Sequence, residues 1–284
     1  MDPDDAMIST YRSHGLCYLM GVSIQEILSE LVGSSEGCSK GKGGSMHTYG
    51  HNFYGGCAIV GAQVPLGTGV AFAFKYRNQP NVCITLYGDG AANQGQVHES
   101  FNMALLMKLP VIYVCENNKY GMGTSAVDAS ANIKFYTRGD IIPGIRLDGM
   151  DVIAVRDCTR FAKQWCANGG GPILLEMQTY RYMGHSMSDP GTSYRTKKEI
   201  QTYRSKDPIK KFQNTLLESD ILTDADIKQI EREVTQEVSN AEMKARQAQK
   251  PDSTELFTDV YSDPVANLSI RGVDRSMESH VSEL

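Results

Sequence analysis

Two short segments of this 284-residue chain carry residues that can do chemistry together: YGDGAANQG at 87–95 and ENNKY at 116–120. Asp89 stands between Gly88 and Gly90, and residues 91–116 separate that GDG from the paired Asn117 and Asn118. The Asp89 carboxylate, the Asn118 side-chain oxygen and the Tyr120 main-chain carbonyl are hard oxygen donors. They suit a magnesium ion, which prefers oxygen ligands and usually keeps a phosphate among them. Glycines beside Asp89 let backbone amides approach a phosphate closely, and a helix starting behind them adds partial positive charge. A GDG alone reads equally well as an ordinary tight turn. The paired asparagines at this distance are what turn it into a site.

These residues meet only if the chain between them is built to bring them together. Residues 82–87 and 111–115 are short apolar runs, rich in β-branched or aromatic side chains and bounded by turn formers, which predicts two buried strands. Residues 97–107 between them are long enough for a helix. Strand, helix, strand makes one right-handed crossover, so the strands are parallel and point the same way. Asp89 and Asn118 then lie just past strand carboxyl ends, where open α/β sheets bind their ligands.

The rest of residues 1–180 has the same texture, with strands predicted at 151–155 and 173–178 and helices at 23–31, 66–76 and 159–167. Ser23 with Glu26 three residues later is a capping-box signature before an apolar run. The fold class is therefore α/β, a mostly parallel sheet with helices on both faces. From Thr196 the chain turns charged and helical, with helices predicted at 197–204, 208–217 and 224–249. Asp207–Pro208 and Thr223–Asp224 mark the starts of the last two. The organisation expected is an α/β domain over 1–195, a helical extension over 196–266 packed on it, and a mobile tail over 267–284.

A net charge of −5 argues against a nucleic-acid surface or an anionic membrane as partner. No run approaches the ~18–20 apolar residues of a membrane span. The seven cysteines, at 17, 38, 57, 83, 115, 158 and 166, form no CxxC pair, and their odd count fits a reducing compartment and structural roles. The acidic start MDPDDAMIST carries neither a secretory nor a transit signature, and the closing SEL matches a peroxisomal tripeptide only loosely. KGKGGS at 40–45 fails as a nucleotide phosphate loop. Glu36 stands where the first glycine is required, and Gly43 follows Lys42 in place of Ser or Thr.

Beyond the GDG and NN pair, the chain carries KGKGGSMH (40–47), NFYGG (52–56), IVGAQVPLG (59–67), ENNKYGMGTS (116–125) and YRYMGHSMSDPGTSYR (180–195). Through these motifs it resembles thiamine diphosphate enzymes and, among them, the alpha subunits of the pyruvate dehydrogenase first component, over nearly the whole chain to about residue 265. The resemblance implies that Asp89, Asn118 and Tyr120 hold magnesium. Tyr11, Arg12, Ala58, Val60, Gly88, Asp89, Gly90, Ala91, Asn118, Tyr120 and His185 would contact the cofactor. Arg12 would grip the diphosphate in bidentate fashion, and Ala58 stands where the family often has glycine. A lone histidine is more often structural; by resemblance, His185 is the loop histidine that contacts the diphosphate and helps pass the acyl group onward. The glycine-rich segment would belong to the substrate and cofactor entrance.

The activity implied is oxidative decarboxylation of pyruvate, with the acetyl group passed to a lipoyl-bearing dihydrolipoamide acetyltransferase in the mitochondrial matrix. A beta subunit would supply the glutamate that activates the aminopyrimidine ring, in an α2β2 heterotetramer. The family's segment ahead of the YR pair, with a histidine near the diphosphate, has no counterpart in the ten residues before Tyr11. Two alternatives stay open: a branched-chain 2-oxo acid dehydrogenase alpha subunit, which shares the cofactor motif, and a non-catalytic scaffold that keeps the fold.

Ser125, Ser186 and Ser193 match the serines that a kinase and phosphatase use to regulate the family. A phosphate of about −1.5 to −2 charge at Ser186, beside Asp189 and the cofactor's own phosphates, would repel both and disorder the loop. Ser186→Glu is therefore expected to lower turnover greatly and to open the loop to proteolysis. Unchanged turnover with unchanged protease resistance would refute this.

Overall fold

A computed structural model of the chain describes residues 1–259. Strand β1 (Ala6–Thr10) is followed by helices α1 (His14–Leu19) and α2 (Ile24–Leu31), then by β2 (Phe53–Cys57) and α3 (Gln63–Tyr76). The central crossover is β3 (Cys83–Gly88), α4 (Gly95–Leu106) and β4 (Val111–Asn117). A small hairpin of β5 (Tyr120–Gly121) and β6 (Thr124–Ser125) leads into a one-turn helix, α5 (Ala126–Ala129). The sheet is completed by β7 (Gly144–Asp148), α6 (Val152–Ala167) and β8 (Ile173–Gln178). Three helices follow, α7 (Lys197–Arg204), α8 (Pro208–Glu218) and α9 (Asp224–Gln247).

The six long strands form one sheet in the order β2-β1-β3-β4-β8-β7, every pair parallel. Neighbouring residues along a strand feed opposite cores, as in Met7 and Ile8 or Ile112 and Tyr113. This is why the strand sequences read as continuous apolar runs instead of alternating. On one face α3 and α4 cover Ile8, Tyr87 and Tyr113 through Val64, Ala71, Phe74 and Phe101. On the other, α1, α2 and α6 cover Met7, Ile84 and Leu175 through Cys17, Ile27, Ala162 and Cys166. The fully buried Tyr113 keeps its hydroxyl satisfied at 2.7 Å from Thr68 Oγ and donates to Ser100 O, locking both helices to β4. Among the described residues no helix is long and apolar enough to cross a membrane.

The predicted crossover is present and parallel, and the Ser23–Glu26 capping box forms with both of its reciprocal bonds. Thr223 with Asp226 makes a second box, and Pro208 occupies the first turn of α8 behind the Asp207 cap. One element needs correction. Residues 151–155 were expected as a strand but begin α6: the Asp151 carboxylate accepts the amides of Ile153 and Ala154, and a capped chain enters a helix. The predicted 159–167 helix is the second half of the same element. Helix α3 starts at Gln63, ahead of the predicted 66, because Pro65 is harmless in a first turn where no partner exists for its missing N–H. Strands β1, β2, β5, β6 and β7 and helices α1 and α5 were not anticipated; β2 carries two glycines, and β7 is an edge strand in which Leu147 alone is buried. The tail expected at 267–284 lies outside the described residues.

The glycine-rich segment owes its shape to a buried anion of this chain. Glu30, on α2 and without exposed surface, accepts the amides of Ser39 and Gly41 at 2.8 and 2.9 Å on one oxygen. Its other oxygen accepts Gly43 and Gly44 at 2.7 and 3.0 Å. A Cβ on Gly43 would stand 1.8 Å from the His47 carbonyl oxygen, so only glycine permits the turn. The loop's rim is fastened to the end of the described chain: Lys40 and Lys42 pair with Glu255 and Asp259, and Ser34 and Ser35 donate to Gln249 O. Glu30→Gln turns an acceptor-only group into one with donors facing amides, leaving some of the four unpaired. A loss of about 2–4 kcal/mol is expected, lowering Tm by roughly 5–10 °C in calorimetry. An unchanged Tm would show that the clasp is not structural.

Candidate active site

Five strands deliver residues to one place. Tyr11 and Arg12 follow β1, Cys57 ends β2, Gly88 and Asp89 end and follow β3, Glu116 and Asn118 flank the last residue of β4, and Thr179, Tyr180 and Arg181 follow β8. They line a cavity of about 410 Å³, which is in the size range of small-molecule sites. The chain leaves β1 toward β2 on one side while β3 lies on the other, so the cavity sits at a topological switch of the sheet. Of the residues singled out from the sequence, Tyr11, Arg12, Val60, Gly88, Asp89, Gly90, Ala91, Asn118, Tyr120 and His185 line this cavity. Ala58 lies off its wall, between Cys57 and Val60, which are on it.

Asp89 is 3 % exposed, and burial pushes its carboxyl above the ordinary carboxylate range, opposed by backbone amides that include Asn118 N–H. Asn118 Oδ1 accepts Tyr120 N–H at 3.2 Å, and Tyr120 O accepts Arg181 Nη1 at 3.3 Å. Gly90 lets the two strand-end loops close on each other, since a Cβ there would meet Gly121 Cα at 3.2 Å. The paired asparagines divide their work. Asn117 is buried and donates to Glu176 Oε1 at 2.8 Å, while the other Glu176 oxygen accepts Tyr136 N–H. Only Asn118 faces the cavity.

Three other side chains that line the cavity, Tyr11, Arg12 and Arg181, are fixed around His185. Arg12 Nη2 donates to His185 O at 2.6 Å, and His185 Nε2 is 3.1 Å from Tyr11 Oη. Arg181 Nη1 lies 3.4 Å from His185 Nδ1, and a guanidinium can only donate. We therefore assign the ring proton to Nε2, where it is offered to Tyr11. Burial, then Arg12 and Arg181, hold the imidazole below its ordinary pKa, so it is neutral at pH 7. Glu116 also faces the cavity, its carboxyl pushed up to about 6 by burial and opposed by Arg12.

The donor set can be tested against magnesium and a diphosphate. One buried carboxylate short of positive partners, an amide oxygen and a carbonyl oxygen provide what a hard divalent cation needs. Arg12, Arg181 and the backbone at Gly88–Ala91 provide what phosphate oxygens need. The residues fit the pair.

The segment carrying His185 is preorganised by two residues. Asp189 accepts His185 N–H at 2.6 Å, Tyr194 O–H at 2.7 Å and Gly191 N–H at 2.8 Å, and these bonds hold its carboxyl down to about 2. Arg195, 5 % exposed, donates to the carbonyls of Gly191, Arg181, Tyr182 and Met183. Ser186 and Ser193 lie exposed on this segment, with Ser186 Oγ 3.1 Å from Ser188 Oγ. Ser125 differs: half-buried, it caps α5 by accepting Asp128 N–H while donating to the Asp128 carboxylate at 2.6 Å.

Sequence reasoning did not single out Arg181, Thr179, Gln63, Cys57 or Glu116, all of which line the cavity. A signal existed for two of them. The rule that placed Asp89 and Asn118 past strand ends applies equally to Thr179 and Arg181, directly after the predicted 173–178 strand.

Comparison with known proteins gives a consistent result. The family model described as "Dehydrogenase E1 component" matches residues 1–254. The pyruvate dehydrogenase E1 component subunit alpha, somatic form, mitochondrial, of Homo sapiens is 53% identical over 277 residues, which covers 97% of this chain and 70% of the relative. The corresponding type II mitochondrial subunit of Ascaris suum is 55% identical over 262 residues, covering 92% of this chain and 67% of the relative.

Arg195→Lys would keep the charge but lose the planar fork that reaches several carbonyls at once. With about 2 kcal/mol of local hydrogen bonding removed, amide exchange across residues 182–194 should speed up by roughly tenfold or more, while the sheet's exchange stays as it was. Equal protection of the segment in the two proteins would rule out the clamp.

Proposed function

This chain belongs to the dehydrogenase E1 component family, and from that premise we propose the residue roles through which it serves as the alpha subunit of a thiamine diphosphate- and magnesium-dependent pyruvate dehydrogenase of the mitochondrial matrix. The observation that carries this reading is the meeting of Asp89, Asn118 and the Tyr120 carbonyl with Arg12, Arg181 and His185 around one cavity. Asp89, Asn118 and Tyr120 O would hold the magnesium, with Gly88, Gly90 and Ala91 offering main-chain groups to the diphosphate. Val60 would bear on the ring end, with Ala58 behind it.

When bound, thiamine diphosphate supplies the nucleophilic carbon and the electron sink that decarboxylation of a 2-oxo acid requires. The chain's own residues do the positioning and the proton handling. Arg12 orients the His185 main chain while facing the cavity, and it can grip a phosphate oxygen in the same pose. The His185 Nε2 proton rests on Tyr11 Oη and would pass to a substrate oxygen that displaces this contact. Arg181 keeps Nδ1 unprotonated and fixes the Tyr120 and Met122 carbonyls at the cavity wall.

An alpha subunit implies a beta partner. The finer assembly we infer is an α2β2 heterotetramer in which the beta chain contributes the carboxylate that activates the ring, and which passes acetyl groups to a lipoyl-bearing dihydrolipoamide acetyltransferase. Ser186 and Ser193 are the accessible targets for a regulatory kinase and phosphatase. A phosphate on Ser125 would instead face Asp128 and break the α5 cap.

Reconstitution with the beta subunit tests the reading. Pyruvate is expected to turn over faster than a branched 2-oxo acid, and the chain alone should be inactive. Thiamine diphosphate with magnesium at about a hundred times Kd should stabilise the complex by about 2.7 kcal/mol. Asp89→Asn should abolish that stabilisation. Because burial raises the Asp89 pKa, its charged form disfavours the folded, ligand-free chain at neutral pH. The variant should therefore melt no lower than the parent without cofactor. Cofactor-dependent stabilisation that survives in Asp89→Asn would overturn the assignment.

A further inference from the structure

Helix α7 opens with a capping signature that does not close. Thr196 caps it by accepting Glu199 N–H at 3.1 Å, and a glutamate at that position ordinarily returns its carboxylate to the cap residue's own amide. Ser23 with Glu26 and Thr223 with Asp226 both complete that exchange. Glu199 does not. Its Oε1 accepts the hydroxyls of Tyr120 and Tyr180 instead, each at 3.0 Å. Tyr203 lies one turn further along the same face of α7. It stacks on Tyr180 with ring centroids 4.0 Å apart and planes 8° apart, and its hydroxyl accepts Lys119 Nζ.

These bonds bear on the turn that carries two of the three oxygen donors assigned to magnesium. Tyr120 begins the β5–β6 hairpin, which has two residues per strand and stands apart from the main sheet. A two-stranded ribbon of that size is marginal in water. Lys119, just ahead of it, holds a left-handed φ of 73°, which is unfavourable for a residue with a Cβ. Tyr180 has the opposite character: it is 6 % exposed and follows β8, a strand flanked by β4 and β7. One carboxylate oxygen shared by the two phenols therefore ties a weak turn to a rigid strand end. The tie matters for a carbonyl ligand. A neutral oxygen draws a cation less than a carboxylate does, and magnesium demands near-ideal octahedral geometry, so its contribution depends on its placement.

We propose that Glu199 is a positioning residue for the magnesium site, holding Tyr120 by its hydroxyl so that the Tyr120 carbonyl keeps its place at the cavity wall. The role rests on the assignment of Tyr120 O as a magnesium ligand and extends that assignment into the helical region. Glu199 stands off the cavity wall and acts only through Tyr120. Tyr180 fixes the direction of the carboxylate from the other side, and Lys119 on Tyr203 steadies the residue between Asn118 and Tyr120.

The test uses the full chain reconstituted with its beta subunit. It reads the magnesium dissociation constant by calorimetric titration at saturating thiamine diphosphate, and hydrogen exchange of residues 118–122 in the metal-free complex. Glu199→Ala should weaken magnesium about tenfold, the usual scale for losing a residue that orients a metal ligand, and speed exchange of the turn several-fold. Glu199→Gln keeps an acceptor oxygen in the same place and should recover most of both. Tyr120→Phe keeps the carbonyl and loses the hydroxyl, so it should match Glu199→Ala, and the double variant should bind no more weakly than either single one. Asp89→Asn serves as the reference. Magnesium binding that survives in Asp89→Asn overturns the site assignment and the Glu199 role with it. Binding lost in Asp89→Asn but unchanged in Glu199→Ala, or additive losses in the double variant, overturns the Glu199 role alone.

Discussion

Everything in this molecule depends on the register of a parallel ladder. Parallel strands exchange evenly spaced hydrogen bonds, so one register decides the height of every residue beyond the strand ends. Gly88 pairs with Glu116, and Glu116 with Met177, across β3, β4 and β8. Asp89 consequently leaves the sheet level with Asn117 and Gln178, one residue before Asn118 and Thr179. On the other side of β3, β1 runs in the same sense and delivers Tyr11 and Arg12 beside them. The cavity is the common end of five strands, and its chemistry is whatever side chains the next two or three residues carry. A one-residue slip of β4 would send Asn117 into the cavity and Asn118 into the wall.

The treatment of buried anions separates structure from function. Glu30 and Glu176 have no exposed surface, and their oxygens are answered by amides and by Asn117. Both are finished interactions that fix loops in place. Asp89 is almost as deeply buried, yet burial dominates its ionisation and raises its pKa. A carboxylate kept in an unfavourable setting, without an ion-pair partner among the described residues, on a cavity that Arg12 and Arg181 also line marks a functional site. The glycine-rich segment makes the contrast concrete. It lacks the sequence of a nucleotide phosphate loop, yet its amides do cradle an anion, one that belongs to the chain itself.

The parts of this fold that could be read in the sequence are those governed by local rules. The β3–α4–β4 crossover, the two capping boxes and the Pro208 start all rest on residues a few positions apart, and they formed as read. So did the placement of Asp89 and Asn118 beyond strand ends. What escaped depended on distant partners. Strand β1 is short and reads as buried only because β2 and β3 flank it, and β2 extends through two glycines that by themselves argue for a turn. Val152 and Ile153 resembled the start of a strand, but the Asp151 cap outweighed their β-branching. Arg181, Arg195 and Glu30 act on carbonyls and amides up to sixty or so residues away, and no periodicity records that. Motif likeness reached some of these positions, but as part of a whole segment and without telling which member does what.

The glycine-rich loop is held from two sides, and the two holds answer differently to the solution around the protein. Glu30 meets its amides in a medium that mobile ions do not enter. Lys40 and Lys42 meet Glu255 and Asp259 at the surface, with between about a third and a half of each side chain exposed, where at physiological ionic strength charges are screened over about 8 Å. Added salt therefore loosens the rim and leaves the root untouched. One loop thus carries two kinds of anchorage, a buried one indifferent to ionic strength and a surface one that weakens as ionic strength rises.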